Sequence, residues 1–225
     1  KAKSFCSNKD NRVLKNKKYV FTGSFIGYTA CEEYIKCLHK MAKDLKVDGI
    51  ITAGPWIKYI FLHKTAGSQK VLDSVKRLAK SVPIYAIRSN RESAELISQL
   101  KDIGITFLNK IEDENNVFLN HQFSKQSNKD QLMKFRDYNV CKNVFVHTTY
   151  VACEPRLIKD EIKYIVGSGS SSYHTPSARI WAASYDSQHL NSEKYDEIGG
   201  HLLEFDSKSE LYNQTFYFNQ ELQGI

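Results

Sequence analysis

Long apolar runs are missing from this sequence. No stretch approaches the ~18 consecutive apolar residues that a membrane-spanning helix needs, so a helical membrane protein is excluded. Paired cysteines are missing as well. The five that occur (Cys6, Cys31, Cys37, Cys141 and Cys153) form no C-x-x-C, and neither a zinc site nor a disulfide framework follows from them. Cys31, Cys37 and Cys141 lie within or beside apolar segments and are expected to be buried thiols in a reducing compartment. There is no glycine-rich loop ending in Gly-Lys-Ser/Thr and no G-x-S-x-G elbow. A P-loop nucleotide site and serine-hydrolase chemistry therefore have no anchor. The opening residues 1–17 are basic but carry no apolar core of a signal peptide, and they read as a flexible polar lead.

What is present suffices for one elaborated domain. The chain has 225 residues, 41% of them hydrophobic, enough to bury a substantial core. The domain is expected over residues 18–219, with 220–225 as a tail. The net charge is +7 and the pI about 9.0, compatible with a polyanionic partner. The charge is scattered, and lysine outnumbers arginine, which suits loose attraction to a phosphate backbone better than bidentate reading of bases. Weak DNA or RNA contact is expected, through lysines on outer helix faces (Lys36, Lys40, Lys43; Lys70, Lys76, Lys80) and the polar segment 125–134.

The first half alternates apolar runs with two-faced segments. Residues 18–25, "KYVFTGSF", predict a strand ending at Gly23. In residues 31–46, Tyr34, Ile35, Leu38, Met41, Ala42 and Leu45 fall on one helical face. Residues 47–53, "VDGIITA", predict a strand stopped by Gly54-Pro55. A helix over 68–81, the strand "IYAI", a helix over 92–100 and "ITFLN" complete the series. Such an alternation indicates a largely parallel sheet covered on both faces. The second half predicts strands at "NVFLNHQF", "NVFVHTTY" and "EIKYIVG", then two strands joined by the turn "DSKSE". A two-sheet α/β sandwich follows. The tail aromatics Phe205, Tyr212, Phe216, Tyr217 and Phe218 are read as packing into the core rather than stacking on bases.

Ligands of open α/β sheets gather at the carboxyl ends of strands. Here those ends read "TGSFIGY", "TAGPWIK", "IRSNRES", "FVHTTY" and "VGSGSSSYH". In that order, and through its glycine and asparagine punctuation, the chain resembles the calcineurin-like metallophosphoesterases over roughly residues 18–219. Their motifs run G-D-x-H, G-D, G-N-H-[ED], a lone His and G-H-x-H. The resemblance implies the calcineurin-like two-sheet sandwich flanked by helices, and a dinuclear metal site at those five ends.

The ligands that it implies are mostly absent. Gly23 keeps the first glycine, but Ser24 and Ile26 stand where Asp and His belong. Gly54 is followed by Pro55 in place of the bridging Asp. Ser89-Asn90-Arg91-Glu92 keeps the asparagine and the acid but puts Arg91 at the catalytic His. His147 matches the lone His, and around Gly167 and Gly169 the candidate positions are serines, Ser168 and Ser170. Two divalent metals about 3.5–4 Å apart need carboxylates and imidazoles to neutralise charge and activate water. Asn90 and His147 cannot supply that set, so no catalytic residue, metal or cofactor is expected.

Each surviving residue also has a plainer reading. Asn90 suits a helix cap or Asx turn, and His147 a hydrogen-bonded strand residue. Arg91 could meet an anion with Ser170 and Ser171, or pair with Glu92 or Glu95. The spacing of His174, Asp186 and His189 around Trp181 fits no defensible metal pattern.

The sequence thus predicts a pseudo-phosphoesterase: an inactive, intracellular domain serving as a structural subunit of a nucleic-acid-processing complex, for replication, transcription or repair. The resemblance implies such roles, because inactive relatives include small subunits of replicative DNA polymerases and a subunit of the retromer coat. Protein subunits are the expected partners, with no membrane. The lysine- and asparagine-rich composition would suit an AT-rich genome, including a viral one, with the host cytoplasm as location. Two rivals from other classes are an active phosphoesterase or nuclease with atypical ligands, and an anion- or nucleotide-sensing module.

Overall fold

The computed structural model describes residues 14–26, 32–57, 66–89, 92–123, 143–148, 156–158, 163–167 and 199–218. They form a two-sheet α/β sandwich with a helical layer. The strands are β1 (Lys18–Ile26), β2 (Gly49–Ile57), β3 (Ile84–Ile87), β4 (Ile105–Leu108), β5 (Lys110–Glu112), β6 (Asn116–Phe123), β7 (Asn143–Thr148), β8 (Arg156–Ile158), β9 (Lys163–Gly167), β10 (Gly199–Phe205) and β11 (Leu211–Phe218). The helices are α1 (Glu32–Asp44), α2 (Ala66–Ser81) and α3 (Ala94–Asp102).

The first sheet runs β11-β10-β1-β2-β3-β4. Neighbours from β1 to β4 are parallel, while β10 and β11 add antiparallel strands at one side. Right-handed crossovers between strands added in one direction place α1, α2 and α3 on the same face. Their apolar stripes (Tyr34, Ile35 and Leu38; Val75 and Leu78; Leu96 and Leu100) join Val20, Ile50 and Ile84 in one core.

The opposite face is covered by the second sheet, β5-β6-β7-β9-β8, in which β7 is parallel to both β6 and β9. The parallel sheet is thus covered on both faces as expected, by helices on one and strands on the other. Between the sheets, Phe118 and Phe145 stack at 4.2 Å and Phe21 meets both edge-on. The basic lead contributes Leu14 to this core, at 1% exposure.

Three expectations need correction. Neither β1 nor β2 stops at its glycine. Pairing shifts from Gly23↔Ala53 to Phe25↔Trp56, so β2 carries one extra residue there and continues to Ile57. Gly54, at φ 102°, supplies the left-handed conformation and Pro55 sits in the bulge, one of the few places within a sheet that tolerates proline. Tyr212 does not pack into the core: it is 66% exposed, on an edge strand with a neighbour on one side only. The cap of α3 is Ser93, whose hydroxyl accepts from the Leu96 N–H at 3.2 Å, rather than Asn90. The short strands β5 and β8 carry too few residues to show a period in the sequence.

Candidate functional site

Polar contacts tie β1 to β10 and α1, and the carboxyl end of β2 to the turn after β3. In the middle of β1, the Thr22 hydroxyl donates to the Gly199 carbonyl at 3.2 Å. Its one proton being used there, the Tyr34 hydroxyl is the donor in the 3.0 Å contact between them. This fastens α1 to β1 and β10. Gly200 is needed beside it, because a Cβ there would lie 2.8 Å from both the Phe21 carbonyl oxygen and the Tyr34 hydroxyl.

Past the bulge, Trp56 is buried and stacks on Phe25, with ring centroids 4.1 Å apart and planes 12° from parallel. Its indole N–H donates to the Thr52 hydroxyl at 3.3 Å. The Trp56 backbone N–H donates to Glu92 Oε1 at 3.0 Å. Glu92 Oε2 accepts from the Ser89 N–H at 2.9 Å and from the Ser89 hydroxyl at 2.6 Å. Glu92 and Ser89 are each only 7% exposed. A buried carboxylate survives where its oxygens are met by donors, and here three donors from two chain segments converge on it.

The structure therefore brings together the positions of Ser24, Pro55, Ser89 and Glu92. Ser24 lies on β1 opposite the Gly54–Pro55 bulge, with Ile26 paired next along it to Ile57. His147 lies on the other sheet, on β7, where it pairs with Gln122 after a register shift. Asn90, Arg91, Ser168, Ser170 and Ser171 are outside the described residues, as are His174, Asp186 and His189.

These residues do not fit a dinuclear metal centre. Among the described residues no group of three or more His, Cys, Asp or Glu side chains is placed to hold a metal ion. Glu92 has both oxygens engaged by N–H and O–H donors. Ser24 and Gly54–Pro55 lie at the bulge where the pairing of β1 and β2 shifts, and pairing resumes at Phe25 and Trp56, whose rings stack. Chemically, the arrangement is a clamp between strand ends.

A second buried polar cluster lies where β6 begins. Asp113 Oδ1 accepts from the N–H groups of Asn115 and Asn116, each at 2.8 Å, and from the Asn116 amide at 3.1 Å. The Asn116 amide also donates to the Ser209 carbonyl at 2.6 Å, and Asn143 donates to Asn116 Oδ1 at 2.9 Å. Burial pushes the Asp113 carboxyl above its usual range, while those backbone donors pull it down. This network pins the β10–β11 turn to the second sheet. Only the Asx-turn pattern of Asp113-Glu114-Asn115-Asn116 could have announced it.

Cys37, among the cysteines expected in the interior, is a thiol half-buried against the helix-side core. No helix among the described residues is long and apolar enough to cross a membrane.

Comparison with known proteins gives structural likenesses only. No family model matches the chain, and no curated protein matches it. Among solved structures, it is similar to YfcE, a phosphoesterase from E. coli, at 11% identity over 88% of this chain and 98% of that one, with a TM-score of 0.44. It is also similar to Vps29 of Chaetomium thermophilum, at 10% identity over 90% of this chain and 99% of that one, with a TM-score of 0.41.

Proposed function

We propose that this chain is a phosphoesterase-like domain without a working dinuclear centre, serving as a structural subunit of a nucleic-acid-processing complex. One observation carries the reading. The acid of the third motif, Glu92, is held by Trp56 and Ser89 in a buried clamp instead of facing a metal. Ser24, Ile26, Pro55 and Arg91 stand where the resembled family has ligands. The two-sheet sandwich and the order of its strand ends support the resemblance itself.

A domain that no longer holds metals retains its rigid body as an assembly surface, and its positive charge favours assemblies that contain nucleic acid. Firm association is supplied by protein subunits, with nucleic acid held weakly. Isolation of the tagged full chain from its native cells, followed by mass spectrometry, tests the role. Stoichiometric subunits of a replication, transcription or repair complex are expected. Recovery of the chain alone would contradict it.

A further inference from the structure

We draw no further inference here: the strongest candidate, the outer edge of strand β11, uncharged along its eight residues and carrying exposed Tyr212, has nothing among the described residues to show what covers it.

Discussion

Glu92 and Trp56 are joined across two strand ends: the Trp56 backbone N–H reaches the Glu92 carboxylate at 3.0 Å, where β2 resumes after its bulge. Ser89 closes the same clamp from the turn after β3. Glu92→Ala would leave three buried donors unmet, and the expected loss is about 3–4 kcal/mol of unfolding free energy. Glu92→Gln keeps the shape and an acceptor, so its loss should be roughly half of that. Urea unfolding of the three proteins measures both. A loss below about 1 kcal/mol in the alanine variant would show that the clamp is incidental.

Asp113 is the other buried acid with converging donors, and its loss should be felt at a distance. Asp113→Ala is expected to cost about 3 kcal/mol and to loosen the β10–β11 turn, because Asn116 bridges Asp113 and the Ser209 carbonyl. Hydrogen exchange at residues 206–211 should rise with it. The pH dependence has a definite sign. With the folded pKa raised by burial, this group's contribution is full below the ordinary carboxyl pKa of about 4 and is lost as pH rises through the folded value. The stability difference between wild type and Asp113→Asn should therefore shift against wild type over that window and then stay level. A difference that moves the other way would show that the backbone donors outweigh burial.

Tyr19 makes the corresponding prediction at high pH. It is 3% exposed, meets Tyr85 edge-on at 6.3 Å, and lies near Asp48. Burial first, then those two neighbours, pushes its phenol well above the usual range. Its contribution is therefore complete below about pH 10, where an unfolded tyrosine ionises, and declines as pH rises towards the folded value. Thermal unfolding between about pH 9 and pH 11 should show a shallower decline in Tyr19→Phe than in wild type. Parallel declines would contradict this.

The sequence displayed the fold wherever a period could develop. The stripe Tyr34-Ile35-Leu38-Met41 and the runs around Val20, Ile50 and Ile84 are long enough to identify helix and strand. It misled at Gly54-Pro55, because glycine followed by proline signals a stop unless the partner strand is known to resume pairing at Trp56. It misled at Tyr212, because alternation identifies a strand without saying that the strand lies at an edge. At the candidate site, the sequence displayed the residue types at Ser24, Ile26 and Pro55, on which the reading of a site without metal ligands depends. The Glu92 clamp was not legible, because its Trp56 partner is a backbone group 36 residues away, and every residue has an N–H to offer.

The central claim is that these strand ends do not hold a dinuclear metal centre. The most direct measurement is a calorimetric titration of the full chain with manganese, paired with hydrolysis of a generic phosphodiester by the same protein and by His147→Ala. The account predicts no uptake of two equivalents and no turnover beyond that of the His147 variant. Two equivalents of manganese bound, with turnover that disappears in His147→Ala, would contradict it.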